Sequence, residues 1–254
     1  MRVFDFTHAI VRVPGRSVVD GLRTTPSPPG YEGVLAEHKA YVAALRTAGL
    51  KVDILPPLEA FPDSVFVEDP AFVVPEGAVL LRPGAPTRLG ERDAMRGILA
   101  RHFGVVRELG DGEFADGGDV LVTPQTVLIG LSKRTNRAGA DALRARLTPL
   151  GRAARVVETL PGVLHFKTAC ALLDEETVLA TAAMAASGVF AGLKVIVAPE
   201  DAAANSLRVR DTVFVGKAYP RTINMLARDY SVVTLPVGEI AKLDAGLSCM
   251  SLRW

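Results

Sequence analysis

A short strand pattern that occurs four times along the chain constrains the fold more than any other feature of the sequence. In each copy, a small or polar residue precedes a β-branched or aliphatic run. The copies are "AVLLR" at 78–82, "TVLIG" at 126–130, "TVLAT" at 177–181 and "TVFVG" at 212–216. Each follows an apolar segment across a stretch containing Pro, Gly or acidic residues, which is the chemistry of hairpin turns. The sequence therefore predicts that each unit begins with a β-hairpin.

Helix and strand signals follow these hairpins. The segments "RLGERDAMRGILARHFG" at 88–104 and "RTNRAGADALRARLTPLG" at 134–151 have apolar residues at spacings of three and four and end in Gly, as helices do. Short apolar strands, such as "KVIVAP" at 194–199, then complete the units. The chain is thus predicted to repeat a ββαβ unit, a periodicity typical of stacked or circular architectures.

A fifth unit requires both ends of the chain. The segment "YEGVLAEHKAYVAALRTAG" at 31–49 and the following "LKVDIL" supply a helix and a strand but no hairpin. Pairing the N-terminal "VFDFTHAIVRV" with the C-terminal "CMSLRW" supplies that hairpin, closes a ring and leaves no free strand edge. We therefore expect an α/β fold, a five-fold ββαβ propeller, with residues 1–254 forming one domain.

The composition and net charge indicate what kind of molecule the protein binds. The formal net charge is +1, with 22% charged and 49% hydrophobic residues, so we expect neither nucleic acid nor membrane as a partner, but a small molecule. Charged residues interrupt the N-terminus, which excludes a secretory signal, and the uncharged run at 177–193 is shorter than the ~20 residues of a membrane span. The chain has two cysteines and no signal peptide, which predicts reduced thiols and a cytoplasmic location.

The two cysteines have different expected roles. Cys249 is predicted to begin the strand that seals the ring, so that its thiol can face a central channel. From its position alone, a packed core thiol is the preferred explanation, because free cysteines are among the most buried residues. Cys170 lies among small apolar residues in "KTACALLD" and is expected in the core.

Polar residues precede every predicted hairpin, where a core strand would not need them. Strand ends in a ring of this kind converge on one mouth and could form a single pocket. For Asp119 and Asn205, ordinary turn chemistry is the preferred explanation. The candidates for the pocket are Asp63, Glu68, Asp69, Asp116, Asp119, His165, Asn205 and Cys249.

This residue set favours nucleophilic catalysis by a thiolate with a histidine moving protons. The sequence has no HExxH, CxxC or GxSxG motif, and His8, His38 and His102 occur singly, so metal and serine chemistry are not indicated. Gly117 and Gly118 lack the rest of a phosphate-binding loop. We expect no metal and no cofactor, and an acid-rich pocket that selects a cationic substrate.

Seven short motifs, in order from residue 61 to 252, resemble the dimethylarginine dimethylaminohydrolase family of the guanidine-modifying pentein superfamily. They are "FPDSVFVEDPAF", "RPGAPTR", "DGGDVL", "GLSKRTN", "LHFKTA", "AAN" and "GLSCMSL". The resemblance implies the five-fold pentein propeller, hydrolysis of N-methylated arginines to citrulline and a methylamine, no cofactor, and a monomer or homodimer.

Site roles also follow from the resemblance. It implies Cys249 as the nucleophile, His165 as general acid and base, and Asp116 as the carboxylate that orients the histidine. Bacterial relatives often have Glu at the position of Asp116, whereas mammalian relatives have "DGGD" as here. The remaining implied roles belong to substrate binding. Asp69 with Glu68 nearby would hold the guanidinium, Arg88 and Arg134 the α-carboxylate, and Asp63 the α-amino group, with Leu22 in a mobile lid.

Two points about this assignment stay open at the level of sequence. If the segment from Asp63 to Asp69 is extended, the two carboxylates are roughly 20 Å apart, too far for one arginine-sized ligand. Either the segment bends, which Pro62 and Pro70 permit, or only one aspartate contacts substrate. The Pro- and Gly-rich stretch around Leu22 could be a lid or a passive surface loop.

Two other functions compete with methylarginine hydrolysis. The first is an arginine deiminase or another guanidine hydrolase or transferase. In deiminases, an aspartate follows the catalytic histidine by two residues, whereas this chain has Lys167 there. The second is a ribosome-binding factor like the related translation initiation factor six, which would predict loss of the Cys and His pair. Both residues are present, so the sequence favours hydrolysis of methylated arginine.

Overall fold

The computed structural model describes residues 2–254, which form fifteen strands in five three-stranded sheets. In every sheet, the inner strand pairs antiparallel with the middle strand, and the outer strand pairs parallel with the middle strand. A helix connects each middle strand to its outer strand, as a parallel connection requires. The predicted ββαβ repeat and the five-fold α/β propeller are confirmed.

Four of the sheets are continuous in sequence. The second comprises β3 (Ala71–Val74), β4 (Gly77–Leu80), α2 (Glu91–His102) and β5 (Val106–Glu108). The third comprises β6 (Val120–Val122), β7 (Val127–Leu131), α3 (Arg137–Leu147) and β8 (Ala154–Glu158). The fourth comprises β9 (Cys170–Leu172), β10 (Thr177–Ala180), α4 (Ala182–Ala186) and β11 (Lys194–Val197). The fifth comprises β12 (Leu207–Val209), β13 (Thr212–Gly216), α5 (Pro220–Leu226) and β14 (Ser231–Leu235).

The first sheet takes strands from both ends of the chain. Its middle strand β1 (His8–Arg12) pairs antiparallel with β15 (Leu252–Arg253), as predicted, and parallel with β2 (Lys51–Leu55) after α1 (Tyr31–Thr47). The prediction that ring closure removes free edges is wrong. Each sheet is hydrogen-bonded within itself and keeps two edge strands, since the interactions between sheets are side-chain packing and loop contacts.

Burial follows the position of a strand within its sheet. The middle strands β4 and β10 are buried along their whole length, because a neighbouring strand or helix covers each side. The outer strands β2 and β14 are buried only at their last residue. Inner strands of adjacent sheets lie side by side, for example β15 beside β3 and β6 beside β9. Their N-terminal ends therefore converge near the axis.

Two local features matter for the site: one differs from the prediction, and the other decides a point that the sequence left open. Cys249 does not begin a strand, because Leu247–Met250 is a 3-10 helix that precedes β15. The segment before β3 is also not a strand. It folds as consecutive turns, with Phe66 N–H donating to Asp63 O at 2.9 Å and Asp69 N–H donating to Phe66 O at 3.4 Å. Polar residues and two prolines explain why this apolar-looking stretch does not extend.

Along the described part of the chain, no helix combines the length and the apolar character needed to cross a lipid bilayer.

Candidate active site

One pocket lies where the inner strands begin, and it has a volume of about 180 Å³. Three of its wall residues come from the Pro- and Gly-rich loop before α1: Leu22, Arg23 and Thr24. The chemically active side chains come from five other segments of the chain. They are Asp63, Asp69, Arg88, Arg134, His165 and Cys249.

A repeated local structure brings the central residues to this mouth. Short 3-10 helices precede four of the inner strands, and they include Gly117–Asp119, Phe166–Thr168 and Leu247–Met250. Asp116 and His165 each immediately precede such a helix, in extended backbone, and Cys249 lies within one. The same step of the ββαβ unit thus supplies a carboxylate, an imidazole and a thiol.

Backbone hydrogen bonds fix the loop that carries Cys249. The Ser248 N–H donates to Asn205 Oδ1 at 3.2 Å, and the Glu68 N–H donates to the Cys249 carbonyl at 3.3 Å. Gly246 lies so close to Asn205 that an added Cβ would be 2.4 Å from its amide carbon. The loop therefore cannot shift without disturbing two neighbouring sheets, and the thiol of Cys249 stays partly exposed to the pocket.

The surroundings of Cys249 favour the neutral thiol. Burial is the main cause that raises its pKa, to about 12, and the charges of Glu68 and Asp69 raise it further. Lys167 acts in the opposite direction. A cation placed in the pocket would offset the two carboxylates and favour the thiolate.

His165 is ion-paired with Asp116. Its Nε2 lies 3.0 Å from Asp116 Oδ2, and Asp116 is completely buried. The other oxygen of Asp116, Oδ1, accepts a hydrogen bond of 2.7 Å from the Gly84 N–H. Asp116 is thus fixed at both oxygens, which sets the orientation of the imidazole ring.

The charges around His165 keep it protonated. Burial alone would lower its pKa, but Asp69, Asp116 and Asp119 outweigh burial and raise the pKa to about 9. Gly118 packs against the ring, and a Cβ there would lie 2.8 Å from Nδ1. The imidazole therefore needs a glycine at this position, and at neutral pH it is an acid.

Asp69, which is close to His165, forms a buried ion pair with Arg88. Arg88 Nη1 donates to Asp69 Oδ2, and the Gly118 N–H donates to Asp69 Oδ1 at 3.1 Å. Burial acts to raise the pKa of Asp69, but the charges of Arg88 and His165 lower it. Glu91 receives two further hydrogen bonds from Arg88, at 2.9 and 2.7 Å. Most of the Arg88 donors are consequently engaged within the protein.

The turns before β3 settle whether the segment bends. Arg88 Nη2 donates to the carbonyls of Asp63 and Phe66, at 3.2 and 3.1 Å, so the chain wraps around the guanidinium. Asp63 and Asp69 therefore line the same pocket instead of lying far apart along a strand. The Asp63 carboxylate accepts the Leu22 N–H at 3.0 Å, which ties the loop before α1 to the pocket wall.

Arg134 differs from Arg88 in its bonding. It is half-buried at the pocket rim, and within residues 2–254 no carboxylate lies within ion-pair distance of its guanidinium. Its backbone is fixed, since the Arg134 N–H donates to Ser132 Oγ at 2.9 Å. Arg134 therefore offers a free cation to a ligand, whereas Arg88 offers little more than one N–H.

The Glu68 side chain lies on the other side of Cys249. Its carboxylate is ion-paired with Lys167 at 2.6 Å and Arg253 at 3.1 Å, and it accepts a hydrogen bond of 3.2 Å from Ser248 Oγ. These residues line a second cavity at the opposite end of the inner strands. The structure thus places Glu68 beneath the thiol rather than among the pocket walls.

Two other pocket candidates from the sequence, Asp119 and Asn205, are outside the pocket, and Cys170 is in the core. Asp119 is buried behind His165, where it accepts hydrogen bonds from Ser132 Oγ and Thr135 Oγ1. Asn205 faces a neighbouring cleft and supports the Cys249 loop. Cys170 is buried, its thiol donates to the Phe166 carbonyl at 3.3 Å, and burial raises its pKa strongly. The expectation of a core thiol at Cys170 is confirmed.

Asp69, Asp116 and His165 are also residue types that bind metal ions. One ligand atom each from Asp69, Asp116 and His165 lie within 4.8 Å of one another. Asp69 already accepts a hydrogen bond from Arg88, and Asp116 is bound to the Gly84 N–H and to His165. The protonated imidazole of His165 has no lone pair for a metal. The arrangement fits a proton-transfer site better than a metal site.

Two residues of the site were not predicted from the sequence. Glu91 accepts hydrogen bonds from Arg88. Its spacing of three residues from Arg88, at the start of a predicted helix, was a signal that could have identified it. Asp244 lines the pocket and binds Thr24, but no local pattern marks that contact across the chain.

The chain is similar to proteins of known family. Residues 54–201 match the arginine deiminase family. An N(G),N(G)-dimethylarginine dimethylaminohydrolase of Pseudomonas aeruginosa is 38% identical, over 98% of this chain and 100% of its own length. The protein of the same name from Streptomyces coelicolor is 33% identical over 96% of both chains.

Solved structures agree with this similarity. The Pseudomonas aeruginosa protein, as a cysteine-to-serine variant complexed with citrulline, gives a TM-score of 0.96 over 99% of this chain and 100% of its own. A histidine-to-glycine variant of a dimethylarginine dimethylaminohydrolase, as an adduct with S-methyl-L-thiocitrulline, gives a TM-score of 0.95 over 98% of this chain and 100% of its own. An arginine dihydrolase domain from cyanobacteria, at 20% identity and a TM-score of 0.87, shares the fold.

Fold and site together define a five-sheet α/β propeller of the pentein type with a Cys, His and carboxylate pocket. The chain belongs to the arginine deiminase family and, within it, to the dimethylarginine dimethylaminohydrolases.

Proposed function

We propose that this protein hydrolyses Nω-methylated arginines to citrulline and methylamine or dimethylamine, through a covalent S-alkylthiouronium on Cys249. The observation that carries the proposal is the meeting of a thiol, a protonated His165 and the Asp69 carboxylate in one pocket. A guanidinium carbon requires a strong nucleophile, and its charge requires a carboxylate. No metal and no organic cofactor enter the proposed reaction.

Substrate binding prepares the nucleophile. The free thiol has a pKa of about 12, mainly because it is buried and faces Glu68 and Asp69. The guanidinium of the substrate brings a positive charge next to the sulfur and lowers this pKa, so Cys249 releases its proton to solvent when the substrate is bound. The substrate thereby activates its own attacker, and the free enzyme keeps a protected thiol.

His165 then serves as the acid. The thiolate attacks the guanidinium carbon, and a new C–S bond forms as the carbon becomes tetrahedral. His165 gives its proton to the methylated nitrogen, the C–N bond breaks and the amine leaves. Because Nε2 is bound to Asp116, Nδ1 is the ring nitrogen available for this transfer. Asp116 keeps the ring oriented throughout.

The same residue serves as the base in the second half. Neutral His165 takes a proton from water, and the hydroxide adds to the thiouronium carbon. The tetrahedral adduct collapses with cleavage of the C–S bond, its hydroxyl proton passes to the sulfur, and citrulline is released. His165 is protonated and Cys249 is a thiol again, which restores the starting state.

The rest of the pocket suits the amino-acid end of the substrate. Arg134 has no carboxylate partner within residues 2–254 and is proposed to bind the α-carboxylate, with the remaining N–H of Arg88 beside it. Asp63 is proposed to bind the α-amino group. Burial raises the pKa of Asp63, and Arg88 and the Leu22 N–H counteract this. Leu22 is then part of the segment that covers the ligand.

Deimination of unmodified arginine is the second candidate. An additional carboxylate two residues after His165 would hold the free nitrogen of arginine, but Lys167 stands there and is bound to Glu68 at 2.6 Å. An unmodified NH₂ group would therefore have an unmet hydrogen bond, whereas a methylated nitrogen needs no such acceptor. The ion pair of Lys167 favours methylarginine over arginine.

A product assay tests the function directly. The protein is incubated with asymmetric dimethylarginine, monomethylarginine, arginine and agmatine, and citrulline, methylamines and ammonia are measured. We expect kcat/KM for the methylated arginines to exceed that for arginine by about two orders of magnitude or more. Comparable turnover of arginine with release of ammonia would instead establish a deiminase.

A further inference from the structure

The loop from Leu22 to Pro28 covers one side of the pocket but is fixed by few apolar contacts. All seven of its residues are exposed, and Leu22 keeps 38% of its surface accessible. The loop has no helix or strand of its own, so intramolecular polar contacts determine where it lies.

Two carboxylates hold this loop at two points. Asp63, in the pocket wall, accepts the Leu22 N–H. Asp244 accepts both the backbone N–H of Thr24, at 2.7 Å, and its hydroxyl, at 2.8 Å. A third contact, from Thr25 Oγ1 to the Lys242 carbonyl at 3.0 Å, lies next to the second. The bidentate contact of Asp244 is the strongest single attachment of the exposed part.

Asp244 is placed for this contact by an unusual backbone conformation. Its φ is 55°, in the left-handed region, directly after the 3-10 helix Ile240–Leu243. Asp is one of the few residues other than Gly that adopt this conformation readily. Cys249 follows five residues later, in the next 3-10 helix. The segment that carries the thiol is thus attached to the covering loop through Asp244.

Thr24 and Asp244 also separate two cavities. Both residues line the Cys249 pocket and a neighbouring cleft of about 490 Å³, and that cleft extends along Leu160–Leu164 and beside Tyr219. Leu164 and Ala245 also line both cavities, so the hydrogen-bonded pair is one part of the wall between them. If the pair separated, the pocket would lose that part of its wall.

We propose that Asp244 is a positioning residue that holds the Leu22–Thr24 segment over the substrate pocket through its bidentate contact with Thr24. This role rests on the proposed function for its effect on substrate affinity, but the contact itself can be tested without turnover. Asp244 does not act on the reacting atoms. Its loss should weaken substrate binding and leave the chemical step nearly unchanged.

The test compares substitutions that suit the backbone at this position. Asp244→Gly removes the carboxylate while tolerating a φ of 55°, and Asp244→Asn keeps one acceptor oxygen. Thr24→Val removes the hydroxyl donor from the other side. Asp229→Gly, at an exposed aspartate in the loop after α5, is the matched control. Amide hydrogen exchange of residues 22–25 is measured without ligand, and KM and kcat are measured with dimethylarginine.

We expect faster exchange at residues 22–25 in Asp244→Gly, a smaller change in Asp244→Asn and Thr24→Val, and none in Asp229→Gly. KM should rise about tenfold in Asp244→Gly, the size expected for a hydrogen-bonded charge, while kcat stays within about twofold. Unchanged exchange at residues 22–25 in Asp244→Gly would overturn the proposal. A fall in kcat with unchanged KM would overturn it as well. The exchange measurement needs no substrate, so it tests Asp244 even if methylarginine is not the substrate.

Discussion

The two cysteines of this chain lie at neighbouring positions of the repeated ββαβ unit but in different sheets, Cys249 before β15 of the first and Cys170 in β9 of the fourth, and their surroundings differ. Cys249 lies in the 3-10 helix before an inner strand, and its thiol is partly exposed to a pocket with His165 and Asp69. Cys170 is the first residue of the inner strand β9, where it is buried and hydrogen-bonded to a carbonyl. Desolvation by the surrounding protein is the main cause that raises the pKa of both thiols, and at Cys249 the charges of Glu68 and Asp69 raise it further.

The comparison shows what makes one thiol a candidate nucleophile. Cys249 has a protonated imidazole and two carboxylates around it, so a bound cation can change its ionisation. Cys170 faces apolar neighbours, such as Phe166 and Phe190, and does not line the pocket that contains His165. A cysteine in the 3-10 helix before an inner strand lines the pocket, whereas a cysteine in the strand itself packs in the core.

Exchange of each thiol for a hydroxyl should separate the two positions most clearly. Cys249→Ser should lower kcat by about four orders of magnitude or more, since the hydroxyl is a poor nucleophile at neutral pH. Cys170→Ser should keep kcat within a fewfold and lower the melting temperature, because a hydroxyl replaces a buried thiol. Steady-state kinetics and thermal denaturation measure both effects. Equal losses of activity in the two variants would remove the distinction.

Asp116→Asn tests whether Asp116 controls the protonation of His165, the imidazole in the pocket of Cys249. The amide keeps the shape and the contact with the Gly84 N–H but removes the charge that helps to raise the pKa of His165. We expect kcat to fall by about a hundredfold to a thousandfold, with a small change in KM. NMR titration of His165 should show a lower pKa in the variant. An unchanged His165 titration would show that Asp116 does not control the acid.

The two arginines at the pocket should differ in what their removal changes. Loss of Arg134 should affect substrate binding alone, and loss of Arg88 should affect both binding and stability. Arg134→Ala should raise KM for methylarginine by about ten- to a hundredfold, corresponding to the loss of a charged contact of about 1.5 to 3 kcal/mol. Its melting temperature should not change, since its guanidinium has no carboxylate partner among the described residues. Arg88→Ala should raise KM too, and it should also lower the melting temperature strongly, because Asp69 and Glu91 lose their buried counterion. Unchanged KM in both variants would exclude a carboxylate-binding role.

The smallest expected effect is the pH dependence of thiol alkylation without substrate. With a pKa of about 12, the thiolate fraction of Cys249 should rise about tenfold for each pH unit between pH 7 and 10. Iodoacetamide should therefore label Cys249 with a log-linear rate and no plateau in that range, and should not label Cys170 in the folded protein. A plateau near pH 8 would mean that the empty site already holds a thiolate.

Much of the architecture was predictable from the sequence, because hairpin turns and helical spacing are local signals. The pairing of β1 with β15 also followed, since one unit lacked a hairpin and both chain ends could supply it. Local signals failed at 61–70 and at Cys249, where apolar residues indicate a strand but tertiary contacts form turns and a 3-10 helix. In the first case, Arg88 donates to two carbonyls that a strand would have used elsewhere.

The site was predictable in its members more than in its bonding. Asp63, Asp69, His165 and Cys249 share the expected pocket. Nothing in the sequence indicates that Glu68, adjacent to Asp69, points to the opposite side and pairs with Lys167 and Arg253, because that depends on which way a turn presents each side chain. The saturation of Arg88 by Asp69 and Glu91 likewise appears only when all the parts are assembled.

The most direct measurement is mass spectrometry of the protein quenched during turnover of asymmetric dimethylarginine, followed by peptide mapping. The proposed mechanism predicts a thiouronium adduct on the C-terminal peptide that contains Cys249, and none on the peptide that contains Cys170. His165→Gly should still form or accumulate adducts from substrates whose leaving group needs no proton. An adduct on Cys170, or turnover without any adduct on Cys249, would contradict the account.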